Sequence, residues 1–417
     1  MATKANDQTQ LADKTALQKC KTDVFISGGG PVGLMLAIAL SQSGKSVVLA
    51  EQHLPQEDKK ALDKVQNSFD GRVLAISKGA QSFLQQISVW PELSKYTNSI
   101  EHIHVSQKGY LGITTLHAEE VGVEALGYAI QSSDLGAVLW RTARQQANLT
   151  ILCPAVLDSF EQTHDKVLVQ VAGAKGDKLA HVEAKLIVGA DGTHSKVRTL
   201  ANLPIEEKSY DAFGVLAQIE TELHPQGWAY ERFTEEGPVA LLPMNDHFHK
   251  AVMVCPAEKL DAITSLSDED YMQLFAEKMG ERLGRFTQVS PRIAYPLKET
   301  YAPVMTVGRV LLMGNASHTQ HPVAAQGLNL GIRDIEVFID MLQSCDDAGN
   351  KRLLQAYAEQ REGDHQKVMG MTDTLIQVFQ HKSPLVGHLR GIGLMAMQAM
   401  PSLKNRFSKF AMRGKRV

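Results

Sequence analysis

The sequence predicts an α/β protein that combines a Rossmann-like dinucleotide-binding domain, an inserted domain built on a mixed or antiparallel sheet, and C-terminal helices. Three observations support this fold class. A short apolar strand, a glycine loop and an apolar helix follow one another between residues 23 and 43. Alternating apolar segments separated by turn residues fill the stretch from about 205 to 290. Beyond Arg352 the apolar residues recur at the spacing of a helix.

The same patterns divide the chain into four parts. The polar, aperiodic N-terminus predicts a mobile leader, and the second domain interrupts the first. The predicted parts are the leader at 1–21, the dinucleotide-binding domain at 22–95, 131–204 and 291–345, the inserted domain at 96–130 and 205–290, and C-terminal helices with a basic tail at 346–417.

The composition excludes several classes of protein. Its 417 residues are 44% hydrophobic and 21% charged, which excludes intrinsic disorder, a coiled coil and collagen. No apolar run reaches the about 18 residues of a membrane span, and the first twenty residues lack the apolar centre of a secretion signal. The four cysteines are too far apart for a disulfide framework or a zinc ribbon. We therefore expect a cytoplasmic enzyme.

Charge is distributed unevenly along the chain. The 43 basic and 46 acidic residues give a net charge of −3, so nothing in the total favours nucleic acid as a partner. Residues 402–417 contain six basic residues and no acid, and without them the balance is 37 − 46 = −9. The protein therefore has an acidic body and a basic tail.

The first motif is a G-x-G-x-x-G loop formed by Gly28, Gly30 and Gly33, between a strand and a helix. Glu51 ends the next strand, 18 residues after Gly33. In a dinucleotide-binding unit the first glycine allows the turn, the second lets the backbone approach a pyrophosphate, and the third lets helix and strand pack closely. The helix N-terminus favours the phosphate charge, and Glu51 can accept hydrogen bonds from a ribose.

Two later segments add polar groups at the ends of predicted buried strands. The first leads into Asp191 and Gly192, and the second ends at Gly314 and Asn315. After a loop that contains proline, the second segment continues into a glycine-bearing helix start. Backbone N–H groups at such a start suit a polar, partly anionic ring edge. The residues of this helix start are Gln326, Gly327, Leu328 and Asn329.

These three motifs, in this order, resemble the FAD-dependent aromatic hydroxylases of the p-hydroxybenzoate hydroxylase type. Residues 69–77, 228–244 and 318–334 are similar to the ubiquinone-biosynthesis hydroxylases, and the resemblance covers about residues 22 to 380. The wider family has aspartate where this chain has Asn315, and asparagine there resembles the branch that hydroxylates 2-polyprenyl-6-methoxyphenol. A second departure is at 131–134, where relatives often carry a basic residue that contacts the cofactor.

The resemblance implies both the cofactor and the reaction. FAD would be reduced by NAD(P)H, react with dioxygen and hydroxylate a prenylated phenol through a flavin hydroperoxide. Arg72 matches the family's arginine near the flavin, and Pro322 matches the proline beside its reactive face. His318 and His321, in the same segment, are candidates for assisting phenol deprotonation.

The sequence leaves other functions open. A flavin reductase, a halogenase or another ring hydroxylase could use the same scaffold, although the Trp-x-Trp-x-x-Pro stretch of halogenases is absent. A non-catalytic scaffold that holds partners at the membrane is the alternative from another class. The histidine pairs of 102–104 and 247–249 have no evident third ligand nearby, so no metal site is predicted.

The C-terminal tail predicts contact with a membrane. If residues 401–414 form a helix that begins at Pro401, Leu403, Phe407 and Phe410 share one face. The cations Lys404, Arg406, Lys409 and Arg413 lie beside that face, which suits an anionic bilayer. We therefore expect peripheral association with the inner membrane, and partners among other proteins of ubiquinone biosynthesis. The alternative is that these aromatic residues pack against the protein's own helices.

Overall fold

The computed structural model describes residues 18–55, 72–173, 176–320, 326–380 and 383–412. The predicted leader therefore lies almost entirely outside the described residues. The strands are β1 Gln18–Ser27, β2 Val47–Ala50, β3 Val73–Ser77, β4 Thr97–Ile100, β5 His102–Gln107, β6 Ile113–His117, β7 Gly127–Gln131, β8 Leu149–Leu152, β9 Ala155–Gln162, β10 Val167–Gly173, β11 Lys178–Gly189, β12 Glu206–Thr221, β13 Trp228–Thr234, β14 Gly237–Pro243, β15 Phe248–Pro256, β16 Phe286–Val289, β17 Ile293–Tyr301, β18 Thr306–Val307, β19 Val310–Leu312 and β20 His318–Thr319.

The α-helices lie between and after these strands in the chain. They are α1 Pro31–Gln42, α2 Lys78–Gln86, α3 Trp90–Leu93, α4 Ser132–Arg144, α5 Lys196–Leu200, α6 Leu260–Thr264, α7 Asp268–Met279, α8 Gln326–Leu342, α9 Lys351–Gln380, α10 Pro384–Ala399 and α11 Pro401–Ala411. Among the described residues, no helix is both long and apolar enough to cross a membrane.

The first sheet has the order β18-β19-β11-β1-β2-β8, with β10 paired to β11 and β9 paired to β10. Strands β19, β11, β1, β2 and β8 are parallel neighbours. Both faces of β1 are buried, since Val24 and Ile26 pack in a core with α1 whereas Phe25 packs in the core on the opposite face. Burial on both sides explains why Val24, Phe25 and Ile26 are three consecutive apolar residues in the sequence.

The second sheet forms the inserted domain. Its order is β20-β17-β12-β15-β14-β13-β5-β6, with β16 on β12, and α7 packs in the core on its outer face. The predicted boundary at residue 291 is wrong, because β17 pairs with β12 from Ile293 to Tyr301. Apolar alternation identified this segment as a strand but carries no information on which sheet it joins.

Strands β3, β7 and β4 form a small third sheet, in the order β3-β7-β4. Along the chain, these strands occur between strands of the two larger sheets. Strand β3 follows directly on Arg72, and α8 holds this strand through a side-chain amide. Asn329 accepts a hydrogen bond from the Ser77 backbone N–H at 2.8 Å and donates one to the Ala75 carbonyl at 3.0 Å. These bonds join the glycine-bearing start of α8 to β3.

Candidate active site

A cavity of about 1160 Å³ lies between the two large sheets and extends beneath the C-terminal helices. It contains nearly all the predicted cofactor-binding residues that the structure describes. The predicted residues in its wall are Gly28, Gly30, Glu51, Arg72, Asp191, Asn315, Gly327, Leu328 and Asn329. A typical pocket for a drug-sized ligand has about 300–1,000 Å³, so this cavity is slightly larger than that range.

The glycine loop forms one end of the cavity. Gly28 has φ +105°, and a Cβ added there would lie 2.5 Å from the Ala190 carbonyl oxygen. A Cβ on Gly33 would lie 2.0 Å from the Gly28 oxygen, so this glycine allows the loop and the helix to pack closely. Gly30 is the N-cap of α1, and its extended backbone leads into Pro31 at the first helical position. The N-terminus of α1 therefore opens onto the cavity and favours an anionic group.

Glu51 is held beside the glycine loop. Its Oε2 accepts a hydrogen bond from the Gly29 backbone N–H at 2.6 Å, and its Oε1 accepts one from the His53 N–H at 2.8 Å. Each carboxylate oxygen can accept a further bond. The side chain is therefore oriented to receive hydroxyl groups of a ligand in the cavity.

Asp191 contributes a carboxylate from the turn after β11. Its Oδ2 accepts hydrogen bonds from the backbone N–H groups of Lys196 at 2.9 Å and Val197 at 3.2 Å, which fixes the start of α5. Its Oδ1 is buried and has no hydrogen-bond partner within the described part of the chain. A buried acceptor without a partner is costly, so this oxygen fits a ligand donor such as a hydroxyl group.

Asn315 and the start of α8 form the adjoining part of the wall, since a Cβ on the neighbouring Gly314 would lie 2.9 Å from Val32 Cγ2 at the start of α1. Asn315 lies on a tight turn, Gly314–Ala316, directly after β19, and its side chain is exposed at the cavity. Gly327 has open space where a side chain would be. Across the cavity the Arg72 guanidinium lies 5.1 Å from the centre of the Tyr295 ring, a cation–π contact that orients it.

The structure contradicts the predicted role of His318. This histidine is only 1% exposed and is absent from the cavity wall, and its ring centre lies 4.2 Å from that of His365. Burial lowers the pKa of His318 to about 3, with the nearby His365 as a further cause. His318 is therefore a structural residue rather than a base for the phenol. His321 and Pro322 lie outside the described residues, as does the side chain of Gln326.

Instead, His318 belongs to a buried cluster around Asp334 of α8. Asp334 Oδ1 accepts hydrogen bonds from Arg361 Nε at 2.8 Å and His365 Nε2 at 2.9 Å, and its Oδ2 accepts one from the Gly314 N–H at 3.4 Å. Burial alone would raise the pKa of Asp334, but the positive charge of Arg361 and the two histidines hold it well below its usual range. This cluster joins α8, α9 and the turn that carries Asn315.

The structure also brings three possible metal ligands together on the outer face of the second sheet, which the sequence pattern did not reveal. His117 Nδ1 lies 3.0 Å from His102 Nδ1 and 3.9 Å from Glu119 Oε1. Strand pairing places His117 opposite His102, a juxtaposition that sequence spacing alone cannot show. None of the three lines the cavity.

The inserted domain gives the cavity an apolar wall with an ionisable residue that was not predicted. Glu231 on β13 lies beside Ala240 of β14, and on the same face are Leu242 and Val252. Its carboxylate makes no ion pair with another described residue, and burial raises the pKa of Glu231 to about 7. A charged residue in an alternating strand is normally assigned to solvent, so only the pairing of β13 shows that it faces a cavity.

Lys250 contributes a positive charge to the same wall. It lies on β15 opposite Leu242 and is 6% exposed. The wall thus combines an acid and a base within an apolar surface, which suits an aromatic ring that carries a polar group.

The C-terminal helices close the apolar end of the cavity. Met371 and Val378 of α9 line it, together with Leu394 and Met397 of α10 and Phe407 of α11. This corrects the predicted tail: α11 begins at Pro401 as expected, but Phe407 packs against the core near Leu116 and Met412. Lys404 is also buried, in an ion pair with Glu120 at 2.7 Å, whereas Phe410 has no described side chain.

Comparisons with known proteins agree with this geometry. A family model described as "FAD binding domain" matches residues 21–372. Ubiquinone hydroxylase UbiL of Rhodospirillum rubrum is 32% identical over 97% of this chain and 91% of its own length. The 3-demethoxyubiquinol 3-hydroxylase of Escherichia coli is 27% identical over 94% of this chain and 98% of its own. The human mitochondrial ubiquinone biosynthesis monooxygenase COQ6 is 28% identical, with 93% and 92% covered.

A solved structure shows the same fold at lower sequence identity. The p-nitrophenol 4-monooxygenase PnpA of Pseudomonas putida aligns with a TM-score of 0.76 at 16% identity. The alignment covers 96% of this chain and all of that one. The predicted α/β architecture, with a second sheet-built domain and C-terminal helices, is thereby confirmed.

Proposed function

The chain belongs to the FAD binding domain family, and on that premise we propose that it hydroxylates the ring of a prenylated phenol in ubiquinone biosynthesis. The observation that carries this proposal is the continuity of one cavity. Polar groups suited to a dinucleotide occupy one end, and an apolar chamber closed by three helices forms the other. A phenol with a long apolar chain requires this combination of surfaces.

The residues at the polar end fit FAD. The N-terminus of α1 at Gly30 would hold the pyrophosphate, Glu51 a ribose, and the unpartnered Oδ1 of Asp191 a hydroxyl donor. Asn315 and the α8 N-terminus at Gly327 would hold the remaining polar edge of the cofactor. Bound FAD, reduced by NAD(P)H, supplies the activation of dioxygen.

This chain's own residues would then act on the phenol. The apolar wall excludes water and orients the ring. Glu231 would accept the phenol hydrogen bond and take the proton, so that the O–H bond breaks and the proton passes to a carboxylate oxygen. A base with a pKa of about 7 is well matched to this task near neutral pH.

The finer identity of the substrate rests on Asn315. Its resemblance to one branch of the family supports 2-polyprenyl-6-methoxyphenol as the substrate and the 1,4-benzoquinol as the product. The low water solubility of such a substrate supports peripheral association of the protein with the inner membrane.

Oxygen and NAD(P)H consumption by the purified FAD-loaded protein would test the proposal. We expect consumption that depends on a short-chain prenylated phenol and yields a product with one additional oxygen atom. Consumption without the phenol, releasing peroxide and leaving the ring unchanged, would indicate a flavin reductase instead. Supplying candidate prenylphenols to a quinone-deficient host that expresses the chain would then identify which intermediate is consumed.

A further inference from the structure

Helix α10 has an exposed apolar face on the side opposite to the cavity. Four of its side chains share this face: Leu385, Leu389, Ile392 and Met395, which are 69%, 57%, 55% and 46% exposed. Leu111, at the tip of the hairpin between β5 and β6, is 84% exposed. We name these five residues the α10 apolar surface. Contiguous exposed apolar residues of this kind mark an interaction site in soluble proteins.

The α10 apolar surface is held in place by the body of the protein. A Cβ on Gly391 would lie 2.1 Å from the Leu111 carbonyl oxygen, so helix and hairpin are in backbone contact. The Thr114 hydroxyl donates a hydrogen bond to the Leu394 carbonyl at 2.7 Å. Leu111 therefore lies beside α10, and the two elements form one continuous surface.

The charge of the surrounding chain identifies the kind of partner. Residues 374–417 contain eight Lys and Arg residues and no Asp or Glu. The remainder of the chain has 43 − 8 = 35 basic and 46 acidic residues, a balance of −11. Two of these cations, Arg406 and Lys409, are exposed on α11, the helix that follows α10. Arg390 and Lys404 are buried. An apolar helix face, in a segment whose charged residues are all basic and followed by exposed cations, is complementary to an anionic bilayer.

We propose that the α10 apolar surface docks on an anionic lipid bilayer, with α10 in the plane of the interface. The inner face of the same helix, at Leu394 and Met397, lines the apolar end of the cavity. Docking in this way brings that end of the cavity next to the lipid, where a prenylated substrate dissolves. A second copy of the chain suits the surface less well, because a symmetric interface would bring the same cations together.

This inference rests on the proposed function for its lipid substrate, but its test does not require turnover. The full-length flavoprotein is mixed with vesicles of phosphatidylcholine alone, or of phosphatidylcholine with phosphatidylglycerol, and then floated. We expect the protein to float with the anionic vesicles and to be released by high salt. The double variant Leu389→Glu with Ile392→Glu should lose at least about tenfold in bound fraction, because it places two charges on the inserted face.

The matched control places the same two substitutions on exposed leucines elsewhere. Leu168 on β10 and Leu223 after β12 are 40% and 53% exposed, and neither lies on α10 or its hairpin. Leu168→Glu with Leu223→Glu should float like the unmodified protein. Retained flavin and an unchanged thermal midpoint in both double variants would show that the effect is not due to unfolding.

A separate measurement of oxygen consumption with a short-chain, water-soluble phenol reports on the proposed function. If that activity is present but neither vesicle composition binds protein, the docking proposal is overturned and the proposed function stands. Equal binding of both double variants, or equal binding to both vesicle compositions, would also overturn it. A dimer in light scattering that L389E/I392E dissociates, without flotation, would assign the surface to a second copy instead.

Discussion

Asn315 stands at one of the two positions where the sequence departs from the family that it resembles, and it lies exposed at the cavity. We expect Asn315→Asp to retain FAD, because aspartate occupies this position in the wider family. Asn315→Leu should weaken FAD binding by about 1–3 kcal/mol, since it removes a polar partner of the cofactor. Titration of the apoprotein with FAD, followed by flavin fluorescence, measures both variants. Three equal affinities would show that Asn315 points elsewhere when the cofactor is bound.

Gly30 sets how closely the backbone approaches the pyrophosphate. Gly30→Val should give a colourless protein, because the added side chain occupies the space that the phosphates need. The visible absorbance of the purified protein measures this directly. Gly363→Val is the matched control, since an added Cβ on this α9 glycine meets nothing within 4 Å. A fully flavinated G30V protein would contradict the assignment of the loop.

The pH dependence of the reaction follows from Glu231. Its pKa is raised to about 7 by burial, so the carboxylate that accepts a proton is present only above that pH. We expect kcat/KM for the phenol to rise through about pH 7 and then level off. In Glu231→Gln this ascending limb should disappear, whereas Glu231→Asp should restore it in part. An unchanged pH profile in E231Q would exclude this residue as the base.

The same pKa shift has a consequence for stability. A carboxyl whose pKa is higher in the folded than in the unfolded protein binds protons more tightly when folded, so unfolding becomes easier as pH rises from the ordinary value of 4.5 to about 7. Glu231→Gln removes this dependence. Urea unfolding at a series of pH values measures this effect. The stability of E231Q relative to the unmodified protein should be greatest at and above about pH 7.

At the scale of elements, Asp334 connects α8 to α9 inside the protein. Asp334→Asn removes one of the two carboxylates that pair with the buried Arg361, and only Asp364, at 2.7 Å, remains. Breaking a buried ion pair from one side typically costs about 3–5 kcal/mol. Asp268→Asn is the control, because Asp268 is 60% exposed in its ion pair with Arg292, and exposed pairs contribute about 0–1 kcal/mol. Urea unfolding of both variants tests the difference. Equal losses of unfolding free energy in the two variants would show that the buried cluster stabilises the fold no more than the exposed ion pair does.

Elements made of local contacts could be predicted from the sequence. The glycine loop and α1 appear within one residue of the predicted positions, because steric limits at Gly28 and Gly33 act over a few residues. Strand β1 ends where predicted but begins at Gln18, five residues before the predicted start at residue 23. The long helix α9 was also predicted from its spacing. Strand β17 could be identified as a strand but was assigned to the wrong domain, because its partner β12 is distant in sequence.

The residues of the candidate site differ in the same way: those near strand ends could be predicted from the sequence, whereas those placed by contacts distant in sequence could not. Its glycine loop, Glu51, Asp191 and Asn315 follow strand ends, and parallel strands bring such ends to one edge. Glu231 could not be predicted, since a charged residue in an alternating strand fits solvent equally well. His318 was misassigned for the opposite reason: the sequence places it beside the site, and only packing against His365 shows that it is buried.

At the scale of the whole molecule, one cavity joins the dinucleotide-binding domain, the second sheet and the C-terminal helices. Each part contributes a different surface: polar groups at the ends of parallel strands, an apolar wall with Glu231, and a helical cover. The helices that close the cavity also carry the exposed α10 apolar surface. On the proposed function, the entry of a long substrate and docking on a bilayer would therefore both depend on the C-terminal helices.

This arrangement predicts that the apolar end of the cavity selects for chain length. Met397 of α10 lines that end, so Met397→Trp should fill space needed by a long prenyl chain and leave the polar end unchanged. We expect FAD content and turnover of a short-chain phenol to be preserved, while KM for a long-chain phenol in detergent solution rises about tenfold, equivalent to about 1.4 kcal/mol of lost binding. Met395→Trp is the control, because Met395 lies on the exposed face of the same helix. Only a substrate that reaches position 397 should be affected by the size of the side chain there. If M397W impaired the turnover of short-chain and long-chain phenols equally, the prenyl chain would have to lie elsewhere.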